Sequence, residues 1–291
     1  MAGQVIVIGS GPAGVSAALY IHRAGLRVLV ISRGSGSLSR AEQIENYYGF
    51  AEPLTGAELE AAGIAGAKKL GIEFLEDEVV WLGMNDAFTG FVVKTAQASY
   101  EADSVILAAG AARRAPKLPG LKELEGRGVS YCATCDAFFY RGKTAAVLGN
   151  GEYALHEAET LLPHAARVLL FTDGQEPDFA VPENIVLHKE PLAGISGEAR
   201  VSGLKLENGT VIPADGVFVA YGTAGSTELA RKIGAAIQEG HVQVDTAMAT
   251  NVPGLFAAGD CTGGLLQVAK AVYEGAAAGL AAVKYVRSKN K

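Results

Sequence analysis

Residues 4–31, QVIVIGSGPAGVSAALYIHRAGLRVLVI, decide the fold. They read as an apolar strand, a glycine turn, an amphipathic helix, a glycine stop and a second strand. Residues 144–171, TAAVLGNGEYALHEAETLLPHAARVLLF, read the same way. The register is constant: Gly9 and Gly149, Gly11 and Gly151, and Arg27 and Arg167 are each 140 residues apart. A βαβ unit used twice at that spacing makes two domain-sized halves, not a solenoid of short repeats.

Strand-rich sequence follows each unit: Gly71–Trp81 and Gly90–Lys94 after the first, Asn184–Lys189 and Val201–Leu206 after the second. Ser104–Gly110 and Val217–Gly222 both read as a buried strand ending on glycine, closing the halves. The fold class expected is therefore α/β with two Rossmann-like halves. Candidate linkers are Arg113–Gly120, with prolines at 116 and 119, and Gly240–Thr246. The tail, Asn251–Arg287, reads as a strand, a Gly-Asp turn and a long alanine-rich helix.

Composition narrows the function. The 291 residues are 49% hydrophobic and 19% charged with 37 glycines, which suits a globular protein and not a disordered or fibrous one. Lys+Arg total 25 against 31 Asp+Glu, so the charge is 25 − 31 = −6. That sign argues against a phosphate-tracking surface and hence against nucleic acid, and leaves room for a basic protein partner. Three cysteines, at 132, 135 and 261, do not make the framework of a small secreted domain. The cytoplasm is the expected compartment. The first apolar run lacks a basic leader and a small-residue cleavage pattern, and no run approaches the roughly 18 residues of a membrane helix.

Gly9-Ser-Gly11-Pro-Ala-Gly14 follows a strand and opens a helix, the context that a dinucleotide fingerprint requires. Its glycines let backbone approach a pyrophosphate, and the helix start supplies N–H donors. The acid expected after the second strand is missing, because Ser32-Arg33 stands there; Ser32 offers one hydrogen bond to the ribose instead. In the second half, Cys132-Ala-Thr-Cys135 is followed at once by Asp136. Zinc would need four ligands, and neither a second C-x-x-C nor a spaced histidine pair is present. A thiol–disulfide centre needs an activated thiol and a nearby proton donor, which Asp136 supplies. Two buried structural cysteines are the plainer alternative. Cys261 reads as a small buried residue, and the five histidines show no metal spacing.

At these residues the chain resembles the low-molecular-weight thioredoxin reductases. The likeness rests on the GSGPAG loop, Ile44-Glu-Asn-Tyr-Tyr-Gly-Phe50, the LAAGA strand end at 107–111, Gly126-Arg-Gly-Val-Ser-Tyr-Cys-Ala-Thr-Cys-Asp136, Phe138-Phe-Tyr-Arg141 and Pro253-Gly-Leu-Phe-Ala-Ala-Gly-Asp260. The resemblance implies a flavoprotein of two three-layer ββα domains, the FAD domain being discontinuous (1–113 and 243–291) around a dithiol domain (114–242). It implies that Gly9, Gly11, Pro12, Ala13 and Gly14 cradle the FAD pyrophosphate, with Ser32, Asn46, Gly110 and Gly259 in the same site. Asp260 would hold the ribityl chain, and Gln267, Val268 and Ala269 would lie by the isoalloxazine. Cys135 would be the flavin-proximal sulfur, Cys132 the thiol that attacks a partner disulfide, and Asp136 the acid/base. A thioredoxin-like substrate, a homodimer and an inner domain that swings on its linkers are further implications.

The family's NADPH site is where the pattern departs. The second glycine loop survives as Gly149-Asn-Gly151-Glu-Tyr-Ala154, but the basic run after the next strand is replaced by Thr172-Asp173-Gly174. Residues 172–188 contain no Lys or Arg, while Asp173, Glu176, Asp178 and Glu183 are acidic. A 2′-phosphate would find repulsive neighbours and no bidentate partner there. Two readings stay open: Asp173, 24 residues after Gly149, accepts an NADH ribose hydroxyl, or the loop is a packing relic and electrons enter elsewhere. The pattern is similar to the atypical branch that includes ferredoxin-dependent flavin thioredoxin reductases, and a flavin accepts electrons singly or in pairs. A dithiol oxidase and a non-enzymatic flavin redox sensor are alternatives using the same parts.

Overall fold

The computed structural model describes residues 3–110, 117–222 and 224–289. The chain divides into two compact units, 1–112 with 225–291, and 113–224.

The first unit begins with β1 (Gln4–Ile8), α1 (Pro12–Arg23) and β2 (Arg27–Ser32), the βαβ unit expected from the opening sequence. Parallel pairing sets Ile8 beside Ile31. A near-continuous apolar strand suits a sheet covered on both faces, and Val5, Ile6 and Val7 are fully buried. α2 (Gly56–Lys69) starts on a capping box in which Thr55 and Glu58 exchange hydrogen bonds, and leads into β3 (Glu73–Glu76). The strands β4 (Val79–Met84), β5 (Phe91–Thr95) and β6 (Ser99–Ala102) form a separate antiparallel sheet before β7 (Ser104–Leu107) returns beside β1.

The second unit repeats the plan. β8 (Val129–Ser130) precedes the short helix α3 (Ala133–Asp136), and β9 (Thr144–Leu148), α4 (Glu152–Leu161) and β10 (Arg167–Phe171) form the second βαβ unit. β11 (Ile185–His188) extends that parallel sheet, β12 (Leu192–Ser196), β13 (Gly203–Leu206) and β14 (Val211–Pro213) make an antiparallel layer, and β15 (Gly216–Val219) returns beside β9. The sheet order is β11-β10-β9-β15-β8. Its core gathers Leu148, Leu169, Phe171, Leu204 and Val217.

The chain then re-enters the first unit through α5 (Ser226–Lys232), β16 (Ile237–Gln238), β17 (His241–Val242), β18 (Leu255–Ala257) and α6 (Val268–Lys289), completing the order β18-β7-β1-β2-β3. Here the boundary expected at 242/243 is corrected to 224/225. The hydrogen bonds give the reason. Ser226 Oγ accepts from the Ala109 N–H at 3.0 Å, and Asn251 holds the Ala236 N–H at 2.7 Å and the Gly234 carbonyl at 3.0 Å. Half of the first expected linker, residues 113–116, lies outside the described residues.

The alanine-rich tail helix has a packing role. α6 lies against α1, and a Cβ added to Gly275 would meet the Ala13 carbonyl at 2.1 Å, one at Gly279 the Ala17 carbonyl at 2.7 Å. Small residues on both helices allow this approach, with Ala17, Ala18, Ala278 and Ala282 fully buried between helix and sheet.

Candidate functional site

The first glycine loop lies at the C-terminal edge of its parallel sheet, where open α/β sheets place ligands. Gly9 has φ +113°, and a Cβ there would sit 2.3 Å from the Ala108 carbonyl, so the loop touches the end of β7. Gly14 packs back on the loop, its absent Cβ only 1.9 Å from the Gly9 carbonyl. Gly11 is the N-cap of α1; no side chain caps it and no acid lies in the first turn. A Cβ built on Gly11 meets nothing within 4 Å, so backbone donors at the helix start face open space. A pyrophosphate fits this arrangement: an uncapped helix N-terminus, a positive dipole end and room beside the backbone.

Of the other predicted residues of this unit, Gly259 meets the helix that follows the loop. Gly259 has φ +87°, and its missing Cβ would stand 3.0 Å from the Ala13 Cβ, which brings the Gly259-Asp260 turn against the start of α1. Gln267 at the mouth of α6 accepts a 2.9 Å hydrogen bond from Asn46, tying the 44–50 segment to the helix start. Gln267 and Ala269 are exposed, Val268 and Asp260 half-buried. Ser32 ends β2 half-buried, and Gly110 with φ +75° follows β7. Tyr47 packs on Phe50 with ring centroids 5.4 Å apart, while Tyr48 is fully exposed.

Two residues in this region escaped the sequence reading. Lys270 Nζ donates to the carbonyls of Gly259 (2.9 Å) and Gly263 (2.5 Å) and to Thr262 Oγ1 (2.9 Å), and pairs with Glu274 at 3.1 Å. Glu274 Oε2 in turn accepts from the Gly259 N–H at 2.8 Å. The available signal was an i,i+4 Lys–Glu pair on a helix whose buried face is otherwise alanine, glycine and, toward its end, valine.

In the second unit Cys132 and Cys135 are joined by a disulfide that closes the first turn of α3. Cys132 is the N-cap, and its Sγ accepts from the Cys135 N–H at 3.1 Å. The Cys132 N–H donates to Ser130 Oγ (3.1 Å), and the Ala133 N–H to the buried carboxylate of Glu157 (2.6 Å). Cys132 is only 4% exposed, whereas Cys135 is exposed and Asp136 half-buried. Just beyond, Phe138 and Phe139 are 63% and 67% exposed, with the Arg141 guanidinium 4.9 Å over the Phe138 ring. Tyr140 anchors the segment: it is buried against Gly216, and burial, then the Asp136 charge, raises its phenol above the ordinary range.

The second glycine loop is bridged to the segment that follows its second strand. Gly151 caps α4, and Glu152 occupies the first turn. Asn150 donates its amide to Gln175 at 2.9 Å and accepts the Asp178 N–H at its carbonyl at 3.0 Å. Asp173 has φ +52°, and its carboxylate accepts the Leu192 N–H at 2.8 Å. Burial and then the Asp173 charge raise the Tyr221 phenol far above its usual value. Tyr153 is 1% exposed, its ring taken into the core beside the loop. Among the described residues no group of three or more His, Cys, Asp or Glu is placed to hold a metal ion. No helix among them is long and apolar enough to cross a membrane.

Comparison with known proteins agrees with this layout. Residues 3–275 match the family model described as pyridine nucleotide-disulphide oxidoreductase. The thioredoxin reductase of Listeria monocytogenes is 34% identical over 309 residues, covering 97% of this chain and 93% of the relative. The crystal structure of the atypical thioredoxin reductase TRi from Desulfovibrio vulgaris Hildenborough superposes with a TM-score of 0.92 at 37% identity, covering 99% of both chains. A ferredoxin-flavin thioredoxin reductase from Clostridium acetobutylicum gives a TM-score of 0.73 at 33% identity, covering 98% of both.

Proposed function

The chain belongs to the pyridine nucleotide-disulphide oxidoreductase family as an FAD-binding relative of the thioredoxin reductases, and from that premise we propose that it reduces thioredoxin with electrons from a ferredoxin-class protein donor. The observation that carries the donor reading is the second glycine loop. Asn150, Gln175 and Asp178 close it, and Asp173 spends its carboxylate on the Leu192 amide instead of facing a ribose. Glu152 at the helix start adds a negative charge where a pyrophosphate would need none. NADPH and NADH are both disfavoured, the first by missing cations and the second by an acid already engaged.

In this reading Gly9, Gly11, Pro12, Ala13 and Gly14 hold the FAD pyrophosphate, Ser32 reaches the ribose side, and Asp260 holds the ribityl chain. Asn46, Gly110, Gly259 and residues 267–269 frame the ring. FAD, when bound and reduced by two single electrons from the protein donor, would supply the electron pair that converts the Cys132–Cys135 disulfide to a dithiol, with two protons taken up. Cys132, as the thiolate, attacks the thioredoxin disulfide. Cys135 then displaces the reduced thioredoxin and restores the internal bond, and Asp136 handles the proton. The exposed Phe138 and Phe139 beside the dithiol offer an apolar footing for the protein substrate.

The burial of Cys132 and the exposure of Cys135 favour a second reading, in which Cys135 is the attacking thiol. Trapping decides between them. Cys135→Ser is expected to hold a stable mixed disulfide with thioredoxin through Cys132; accumulation with Cys132→Ser instead would reverse the roles. Thioredoxin reduction that proceeds unchanged in both variants would overturn the dithiol mechanism altogether. The homodimer and the cytoplasmic setting are further parts of the proposal, checked by sedimentation and by fractionation.

A further inference from the structure

The Gly259–Gly263 turn is bracketed by two glycines in backbone conformations closed to other residues, φ +87° with ψ −151° and φ +77° with ψ −158°. Both direct their carbonyls at one ammonium, that of Lys270. Glu274, one helical turn further along α6, holds the N–H of the same Gly259 and accepts from Thr262 Oγ1 at 2.9 Å. Gly259 is thus gripped at both its N–H and its C=O by an ion pair whose side chains are 15% and 11% exposed. Between the glycines stand Asp260 and Cys261, the latter fully buried with its Sγ 3.4 Å from the Ala258 carbonyl.

A buried ion pair is a weak source of stability, because desolvation offsets most of the attraction. An alanine at each position would match the rest of the buried helix face, so packing gives no reason for the pair. The turn closes on its own bonds, with the Gly259 carbonyl accepting from the Thr262 N–H (3.1 Å) and Oγ1 (2.7 Å), and what the pair adds is a tie from that turn to the first residues of α6. We propose that Lys270 and Glu274 are positioning residues that clamp the Asp260 turn for the flavin and, as a balanced charge pair, set the reduction potential of the bound FAD. This rests on the reading that Asp260 and residues 267–269 face the flavin.

Charge balance makes the idea testable in a way that simple loosening is not. With Lys270→Met the Glu274 carboxylate is left uncompensated, which disfavours the added electrons. With Glu274→Gln the ammonium is left uncompensated, which favours them. A single charge at roughly 10 Å and an effective dielectric of ~20 shifts a redox equilibrium by about tenfold. The holoprotein and each variant are equilibrated anaerobically against a redox dye, and FAD affinity of the apoproteins is followed by flavin fluorescence. The expected result is opposite shifts of about tenfold in the flavin–dye equilibrium, weaker FAD binding in both variants, and near-wild-type behaviour of Lys270→Arg. Shifts of the same sign, or none, overturn the clamp while leaving the flavin site intact. A wild-type chain that binds no FAD would overturn the site reading, and the clamp with it. If either variant fails to fold, the Lys270→Met/Glu274→Met pair replaces it: restored potential with weakened FAD binding supports the clamp, and a potential shifted as far as in a single variant contradicts it.

Discussion

The two glycine loops, 140 residues apart, share a backbone and differ in what stands around it. At both, the first glycine exists for packing: a Cβ on Gly9 would strike the Ala108 carbonyl at 2.3 Å, and one on Gly149 the Ala220 carbonyl at 2.2 Å. Neither helix start has a side-chain cap, but the first is free of acid and open beside Gly11. At the second, Glu152 sits in the first turn and the side chain of Gln175 reaches across to Asn150. A glycine fingerprint therefore reports how closely a strand and helix approach. What separates the two loops is the charge in the helix's first turn together with the side chains that follow the second strand.

The comparison breaks most visibly at the dithiol that only the second unit carries. Cys132→Ser and Cys135→Ser should each lower thioredoxin turnover by more than about a thousandfold, in line with loss of a covalent nucleophile, while FAD content is unchanged. Next in size is the first loop itself. Gly11→Asp puts a carboxylate where the phosphates would take the helix N–H groups, and should weaken FAD binding by about a hundredfold or more in a fluorescence titration. Binding as tight as in the parent chain would separate the loop from the cofactor.

The second loop should answer differently. Asp173→Ala leaves the Leu192 N–H without its carboxylate and should cost about 1–3 kcal/mol in urea unfolding, with donor kinetics unaltered. A selective loss of flavin reduction by NADH would instead restore the nucleotide reading of that loop. Smallest is the effect at Cys261, whose thiol is pushed up to about 11 by burial. Its neutral form is the folded form, so any stabilisation is present below the ordinary thiol range and lost as pH rises toward 11. After reduction, a native thiol count at pH 8 should therefore give two reactive groups, and Cys261→Ala should flatten the alkaline loss of stability.

Much of the fold is legible in the sequence, because it lies in local pattern. Both βαβ units, the Cys132–Cys135 pair and the acidic stretch after Phe171 follow from period, glycine and cysteine spacing, and charge. Three features did not, and each depends on distant partners. Residues 225–242 carry only short elements, and they belong to the first unit because Ala109 and Asn251, far away in sequence, supply their hydrogen bonds. Lys270 and Glu274 were hidden in an alanine-rich helix whose buried face looked like packing alone. The closure of the second loop uses Gln175 and the Asp178 amide, residues with no motif of their own.

The central claim is that the first loop serves a flavin while the second serves no nucleotide. Anaerobic titration of the holoprotein, with flavin bleaching followed by absorbance, tests it most directly. Reduced ferredoxin should bleach the flavin and, with thioredoxin present, yield thioredoxin thiols, while saturating NADPH or NADH leaves the spectrum unchanged over the same time. Rapid bleaching by either pyridine nucleotide, with reduced ferredoxin inert, would contradict the account.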